Sequence, residues 1–352
     1  MKKELYSPES GERGVVAILM AVAMVGMIGV ASLAIDIGSA LVAKAELQNV
    51  SDAAALAGTR ELAVYYKNNP DKISMPLGGG AANVKNVAQT YAALNKAGGI
   101  SISVPEDDLL LGKYDPKTGA ITETNTAVRL VQVTSRRDDT ANGVLPTRLA
   151  TVLGINNMSV RATTAAALTP VGTLKSGQGD FPIGISKDWF NSHKCGDNDK
   201  IVLFPTDESS CAGWHTFTSA PASATRLGTI VNGMENGTFQ SPETIAGETY
   251  YNFIGGSVES RCSDLKSLFD AKQVDGVMKA RIPVYDFDCG NPNQSRLILG
   301  FAETDILQVV CGSAKERKLD VRVNCGIVGD SVGTGGGPAD YGFLAESPSM
   351  VY

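Results

Sequence analysis

Residues 14–35 read GVVAILMAVAMVGMIGVASLAI, an uncharged run whose only polar side chain is one serine. As an α-helix this run is about 33 Å long at 1.5 Å per residue, enough to cross the hydrocarbon core of a bilayer. Lys2, Lys3 and Arg13 precede the run and Asp36 follows it. Because positively charged flanks stay on the cytoplasmic side, the sequence predicts a membrane-spanning helix with a cytoplasmic N-terminus and an exported remainder.

Two other interpretations of this run stay open. A cleavable signal peptide has a shorter apolar stretch followed by a small-x-small cleavage site, and Ser32-Leu33-Ala34 fits such a site. A buried core helix is disfavoured, because an uncharged run of this length near the N-terminus is typical of targeting or spanning segments. We therefore expect an uncleaved anchor.

The helical pattern continues beyond the apolar run, because residues 37–66 contain no proline and repeat small or apolar residues at spacings of four and three. The repeating residues are Ala43, Leu47, Val50, Ala54 and Ala57. Since most of them are alanine, a neighbouring backbone can approach this face closely, which predicts a helix-packing interface with a partner protein. The alternative is a helix face that covers the chain's own core.

An ordered set of motifs runs through residues 13–62. The apolar segment is followed by D-I-G at 36–38, by L-Q at 47–48 and by D-A-A-A-L-A-G at 52–58. In this combination the region resembles the N-terminal region of the TadE/TadG-like proteins of Flp (tight adherence) pilus assembly. The resemblance implies a membrane-anchored, non-enzymatic component of pilus assembly, with other pilus-assembly proteins or pilin as partners.

The same resemblance implies a bacterial inner-membrane protein with a single span, a cytoplasmic N-terminus and a periplasmic or surface-exposed C-terminal region. Minor-pilin-like behaviour, in which the long helix leaves the bilayer and packs among pilin helices, also fits the geometry. Prepilin processing usually requires glutamate five residues after the glycine of the cleavage site. In this chain Leu19 stands five residues after Gly14, so processing of this kind is not expected.

The predicted fold class is α+β, with a long N-terminal helix that extends into a small α+β unit, followed by a mostly β, disulfide-bonded domain. The predicted boundaries are a cytoplasmic N-terminus at 1–13, the transmembrane helix at 14–35, the juxtamembrane helix and small α+β unit at 36–172, a linker at 173–180, the Cys-containing β-rich domain at 181–330 and a flexible C-terminal tail at 331–352.

Apolar periodicity locates the main elements of the exported part. Residues 81–97 and 145–153 are predicted as helices, and 127–134 and 158–168 as strands. A short helix that ends in L-G-I before a strand rich in Ala and Thr is also similar to the TadG-related pattern. Further strands are predicted at 201–204, 282–287, 297–302, 306–310 and 319–327.

All six cysteines follow the predicted linker: Cys195, Cys211, Cys262, Cys289, Cys311 and Cys325. An even set in an exported region predicts three disulfides, of which sequence alone leaves fifteen pairings open. Residues 319–327 alternate as a half-buried strand, which turns Cys325 inward. Cys195 and Cys211 fit a short disulfide-closed loop, or, together with His193 and His215, a tetrahedral zinc site. The disulfide is the preferred interpretation.

Other metal sites have weaker patterns. Asp207-Glu208-Ser209-Ser210-Cys211 is near the D-x-S-x-S start of a von Willebrand factor A metal site, but ends in Cys. Asp286, Asp288 and Asp305 are a candidate calcium cluster, although acidic residues at strand ends are usually solvated. The common hydrolase, zinc-protease and P-loop motifs are absent from the sequence. We therefore expect no catalytic, cofactor-binding or metal site.

Composition helps to rank the candidate functions. Lys and Arg number 31 against 37 Asp and Glu, a net charge of −6, which disfavours nucleic-acid binding, and there are two His. Non-enzymatic pilus assembly is the first prediction. A surface adhesin or ligand-binding module on the same anchor is the alternative. An enzyme is third, and a cluster of Asp286, Asp288 and His215 in a cleft would favour it.

Overall fold

The computed structural model describes residues 10–192, 200–202, 211–255, 257–313, 317–324, 326–327 and 335–351. Contacts divide the chain into two compact units. The first contains the chain up to Ala54 together with Gln89–Leu109 and Val133–Thr164, and the second contains Ala55–Ala88, Leu110–Gln132 and Ala165–Tyr352.

The α-helices are α1 (Ser10–Asn68), α2 (Gly80–Ala93), α3 (Lys187–Ser192), α4 (Ala224–Glu235) and α5 (Cys262–Lys272). Short 3₁₀ turns occur at Pro70–Lys72, Glu106–Asp108, Ala150–Leu153 and Glu259–Arg261.

The strands are β1 (Lys96–Ala97), β2 (Ile100–Ser101), β3 (Leu109–Tyr114), β4 (Ile121–Glu123), β5 (Leu130–Arg137), β6 (Leu145–Pro146), β7 (Asn157–Met158), β8 (Val160–Ala167), β9 (Thr173–Leu174), β10 (Ile183–Ser186), β11 (Lys200–Val202), β12 (Ala212–Trp214), β13 (Thr244–Ile245), β14 (Tyr250–Asn252), β15 (Met278–Tyr285), β16 (Ser295–Val310), β17 (Lys318–Asn324), β18 (Gly326–Ile327), β19 (Phe343–Leu344) and β20 (Ser349–Val351).

The predicted anchor and juxtamembrane helix form one continuous helix, α1, of 59 residues. It ends at Asn68 because Pro70 begins the next turn and the residue before a proline disfavours helical backbone angles. The predicted helix at 145–153 is shorter than expected. Leu145–Pro146 is strand β6 and only Ala150–Leu153 is helical, as a 3₁₀ turn.

A five-stranded sheet has the order β20-β8-β5-β3-β4. Its first strand comes from the C-terminal segment, because Ser349 pairs with Ala167 and Val351 with Ala165. The prediction of a flexible tail at 331–352 is therefore wrong for residues 335–351. The reason is apolar burial, since Phe343, Leu344, Ala345 and Val351 are all buried.

A second sheet in the C-terminal part has the order β11-β17-β16-β15-β10-β12, with β14 also paired to β16. Two neighbouring residues on β15 pack in different hydrophobic clusters. Val284 packs with Leu227 of α4 and Leu265 of α5, whereas Tyr285 belongs to a separate cluster with Tyr251. Because successive side chains of a strand point to opposite faces, the sheet is covered on both sides.

The β-rich character of this region is confirmed, with two differences. The predicted strands 297–302 and 306–310 are one strand, β16, with a register irregularity between Ile306 and Gln308. The predicted linker 173–180 is packed, because β9 pairs with β13 and Asp180 forms an ion pair with Arg281, in which Nη2 lies 2.7 Å from Oδ1.

Two disulfides staple this region. Cys211 pairs with Cys289, and Cys262, at the start of α5, pairs with Cys311 at the end of β16. The predicted loop between Cys195 and Cys211 is therefore wrong. Cys211 directly precedes β12, which pairs with β10, and β10 lies beside β15, whose end leads to Cys289. Cys195 and Cys325 lie outside the described residues, so the third bridge stays a prediction.

Candidate functional site along the first helix

The first part of α1 makes almost no contact with the rest of the chain. Its apolar side chains are largely exposed, for example Val15 at 59%, Val25 at 71% and Val30 at 72%. Among the described residues this is the one helix long and apolar enough to cross a membrane. Exposing this much apolar surface to water is energetically unfavourable, so the segment fits a single-pass membrane anchor.

Asp36, the first residue after the apolar run, holds a distant turn of the chain. Its Oδ1 accepts the backbone N–H of Arg148 at 2.8 Å, and its Oδ2 accepts those of Leu149 at 3.0 Å and Ala150 at 2.6 Å. The carboxylate is only 2% exposed. These backbone hydrogen bonds lower the pKa of Asp36, so the ionised carboxylate satisfies the free N–H groups at the start of the Ala150–Leu153 turn.

Gly154 closes the same turn. It has φ of +82°, the left-handed conformation that glycine adopts without a steric penalty, and its N–H bonds back to the carbonyls of Ala150 and Thr151. The L-G-I sequence at 153–155 is thus the end of the element that Asp36 begins. Two motifs more than a hundred residues apart build one local structure.

The predicted packing stripe is buried by the chain itself. Ala43, Leu47, Val50 and Ala54 are between 0% and 2% exposed, and Ala57 is half-buried. The interpretation of a face open to a partner is therefore wrong for the four buried residues in this conformation. The alternative, a helix face that covers the chain's own core, is the one that the structure shows.

A buried pair of serines docks α1 on its own strands. Ser135 on β5 donates its hydroxyl to the Leu47 carbonyl at 2.8 Å, and the Ser51 and Ser135 hydroxyl oxygens are 2.8 Å apart. Ser51 also donates to the Ala162 carbonyl on β8 at 3.1 Å. Both serines are fully buried, so these bonds fix the helix rather than compete with water. Neither serine has a local sequence signal that predicts this pair.

Two motif residues on α1, Gln48 and Asp52, meet Thr164 on β8. Gln48 donates to Asp52 Oδ1 at 2.8 Å, one helical turn away, and Thr164 donates to the same oxygen at 2.6 Å. The short Gln48 to Thr164 contact completes a triangle of polar groups. A strand rich in Thr at this point therefore has a direct physical role in docking the helix.

Gly58, the last motif residue, lies where another helix crosses α1. A Cβ atom at this position would lie 3.2 Å from the Ala88 Cβ on α2 and 3.2 Å from a Val131 methyl group on β5. Contacts this short force the neighbours to move. The glycine therefore favours the close approach of these elements, because a side chain here would push Ala88 and Val131 outward by a few tenths of an ångström.

Near its end α1 is held by the C-terminal segment. Glu346 is buried, and its carboxylate pairs with Arg60 at 3.3 Å and with Lys67 at 3.3 Å. A buried carboxylate with two cationic partners is compensated, whereas removal of either partner leaves charge without full compensation. Nothing local in the sequence marks Glu346 as a partner of α1.

His215 lies in the interior of the second unit. It is fully buried, with its ring 4.6 Å from Phe217, 4.7 Å from Tyr251 and 5.5 Å from Phe253 between ring centres. Its Nδ1 accepts the Phe217 N–H at 3.2 Å. Burial lowers the pKa of His215 to about 3, partly offset by the Ile183 backbone, so the ring is neutral at physiological pH.

The zinc alternative is wrong for the two of its residues that the structure describes. Cys211 is in a disulfide, so its sulfur is not a thiolate ligand, and the His215 ring is enclosed by aromatic side chains. His193 and Cys195 lie outside the described residues, as do Asp207 to Ser210 of the von Willebrand factor A pattern.

The acidic residues considered for calcium or catalysis have other partners. Asp286 pairs with Lys187 at 2.6 Å, and Asp305 pairs with Arg322 at 2.6 Å. Within the described part of the chain, no group of three or more His, Cys, Asp or Glu side chains is arranged to hold a metal ion. His215 is enclosed in the core, so it does not join Asp286 and Asp288 in an open cleft.

The part of α1 that makes these contacts matches a known protein family. Residues 14–61 match the family model of TadE/G-like Flp pilus-assembly proteins. The match begins with the exposed apolar segment, includes Asp36, Ser51 and Asp52, and ends just after Gly58. No curated protein and no solved structure matches the chain. The resemblance is therefore confirmed over this region and supports involvement in Flp pilus assembly.

Proposed function

We propose that this chain is a membrane-anchored, non-enzymatic component of Flp-type pilus assembly. The observation that carries the proposal is the family match at 14–61. It coincides with α1, which among the described helices is the one long and apolar enough to span a membrane. The match extends beyond the apolar segment into Asp36, Gln48, Asp52 and Gly58, whose contacts join the helix to other parts of the chain. A generic membrane anchor would not require these residues.

The proposed topology has a cytoplasmic N-terminus in the bacterial inner membrane and a periplasmic or surface-exposed remainder. Lys2, Lys3 and Arg13 favour this orientation. The bridges from Cys211 to Cys289 and from Cys262 to Cys311 also support it, because disulfides persist in exported regions and are rare in the reducing cytoplasm.

Contact with pilin or other assembly proteins is proposed to involve residues 14–35 rather than the stripe at Ala43 to Ala57. Four of the five stripe residues are buried by the chain itself, whereas the apolar side chains before Asp36 are largely exposed. A minor-pilin-like role would then require only the first part of α1 to pack among other helices. The docked part would keep its contacts.

Co-purification from membranes tests this proposal. Full-length chain is captured in mild detergent, and its partners are identified by mass spectrometry, with the intact mass showing whether residues 1–35 are retained. We expect pilin or other pilus-assembly proteins with the wild type, and fewer of them when residues 14–35 are replaced by an unrelated apolar span of equal length.

The two outcomes that oppose the proposal are distinct. If the unrelated span recovers the same partners, the contact surface lies in the exported part. If the wild type recovers no pilus protein, or a mature chain that starts at Ile35, the membrane-anchored assembly role is wrong.

A further inference from the structure

We propose that the turn at 147–155, here called the juxtamembrane turn, is a second membrane contact, in which Leu149 and Ile155 enter the lipid interface beside the anchor. This inference rests on the proposed function, because it takes residues 14–35 as the membrane span. The occupant is the lipid surface itself, the headgroup and upper acyl-chain region.

The contact with Asp36 sets the depth of the turn relative to the membrane. Asp36 follows the last residue of the span, so along the helix axis it lies about 1.5 Å beyond Ile35. Its carboxylate bonds to the N–H groups of Arg148, Leu149 and Ala150 at 2.6 to 3.0 Å. The headgroup layer on each side of the hydrocarbon core is about 5 to 8 Å thick. The turn is thus held at the level of this layer.

One face of α1 is covered by the chain near the end of the proposed span. Ser32, one helical turn before Asp36 and on the same face, is only 7% exposed, whereas its neighbour Leu33 is 44% exposed. The chain therefore covers this face for one turn into the proposed span. Protein that covers it there lies at membrane depth, continuous with the contact between Asp36 and the turn.

Most backbone N–H groups of the turn that lie near the anchor have hydrogen-bond partners within the protein. Besides the three N–H groups that bond to Asp36, Thr147 N–H bonds to the Asn156 carbonyl at 3.1 Å, and Ile155 N–H bonds to the Ala150 carbonyl at 3.1 Å. The Thr147 hydroxyl donates to the Ile155 carbonyl. Backbone that is paired in this way can lie close to the hydrocarbon, where little water is available to replace its hydrogen bonds.

The side chains of the turn match a lipid surface. Leu149 is 39% exposed and Ile155 is 46% exposed, and on α1 the nearby Ile37 is 46% exposed. Arg148, next to Leu149, is also exposed. Apolar side chains with a neighbouring arginine are typical of interfacial segments, in which the arginine contacts lipid phosphates.

Depth-dependent fluorescence quenching tests the inference. Full-length chain with Leu149→Trp is reconstituted in vesicles of phosphatidylethanolamine and phosphatidylglycerol that contain phosphatidylcholine brominated at a shallow or at a deep acyl position. The wild-type emission of Trp189 and Trp214 is subtracted. We expect a blue shift relative to water and stronger quenching by the shallow than by the deep bromines. Ile155→Trp provides the same readout if Leu149→Trp does not fold.

Two control variants separate the possible failures. Ile100 has the same 39% exposure as Leu149, but it is two residues from Gly98, whose N–H bonds to Glu46 about 15 Å further along α1. We expect Ile100→Trp to remain unquenched. Met24→Trp, in the middle of the span, is expected to be quenched most by the deep bromines.

The results distinguish failure of the turn contact from failure of the anchor. If Met24→Trp is quenched and the turn variants are not, the juxtamembrane turn is in water and this inference is wrong, while the anchor stands. Equal quenching of Ile100→Trp also contradicts it, because the contact is then not specific to the turn. If Met24→Trp is not quenched, the membrane placement in the proposed function fails.

Discussion

Asp36 joins two parts of the chain that are more than a hundred residues apart in sequence. Its carboxylate is the common acceptor for Arg148, Leu149 and Ala150, and the turn that begins there ends at Gly154. An aspartate directly after a membrane span is easily interpreted as a solvated flank. In this fold it is a buried structural group that fixes the turn to the helix.

Asp36→Ala is expected to loosen this turn. Because backbone hydrogen bonds lower the pKa of Asp36, its contribution to stability is complete above the unfolded-state value of 3.8 and is lost as pH falls through the lower folded-state value. At neutral pH the variant should show faster hydrogen exchange at the amides of Arg148, Leu149 and Ala150. Asp115→Ala, which removes a similar carboxylate from the exposed turn at Lys117 and Thr118, should leave those amides unchanged.

His215 should make the fold sensitive to mild acid. Its folded-state pKa of about 3 lies below the unfolded value of 6.5, so the unfolded chain binds a proton first as pH falls. Stability is therefore lost below pH 6.5, by about 2 kcal/mol between pH 7 and pH 5. The measurement is denaturant unfolding at both pH values for the wild type and His215→Phe. An equal loss in both proteins would show that another group is responsible.

At the scale of elements, α1 organises the N-terminal half of the chain. Its first part is exposed and apolar, and its second part packs on β5 and β8 through Ser51, Ser135 and Asp52. The small side chains on this face allow close packing with the chain's own strands. The Ala-rich stripe is therefore a feature of folding in this chain.

Periodicity made part of this architecture predictable. Uninterrupted helical spacing predicted α1, and alternation predicted β17. The bond between Ser51 and Ser135 was not predictable, because it joins residues 84 positions apart and neither has a local signal. The same holds for Glu346 and its cationic partners on α1. Apolar residues of the C-terminal segment were visible, but their burial depends on a sheet formed by distant strands.

Gly58→Leu is expected to destabilise the crossing of α1 and α2. The new side chain would overlap Ala88 and Val131, and overpacking of this kind typically costs about 1 to 3 kcal/mol. Val64→Leu adds bulk to the same helix at a position that is 36% exposed, and it should change stability by less than about 0.5 kcal/mol. Thermal unfolding of both variants in detergent measures the difference, and equal stability would refute the close approach.

The disulfide between Cys262 and Cys311 should stabilise the second sheet. It closes a loop with a sequence separation of 49, for which the chain-entropy estimate is about 4 kcal/mol. Replacing both cysteines with alanine should lower the free energy of unfolding by about 2 to 5 kcal/mol. Emission of Trp189 and Trp214, which pack in the same core as Cys262, reports the transition.

Thiol alkylation of the denatured, non-reduced wild type provides the matching chemical test. Cys211, Cys262, Cys289 and Cys311 should take up no reagent. Three bridges predict the same result for Cys195 and Cys325. Alkylation of any of the first four would contradict the observed pairing.

At the scale of the whole molecule, the C-terminal segment is part of the folded chain. Ser349–Val351 completes the five-stranded sheet, and Glu346 pairs with Arg60 and Lys67 of α1. Truncation of the last residues would therefore remove a strand and leave two cations without their buried partner.

The central claim is that this chain takes part in pilus assembly from the membrane, and the number of pili per cell tests it most directly. Electron microscopy of cells that lack the chain should show a loss of Flp pili, with recovery when the full-length chain is supplied. If pili are as numerous without the chain, and the cells lose only their attachment to a surface, the assembly role is contradicted and the chain is an adhesin on a membrane anchor.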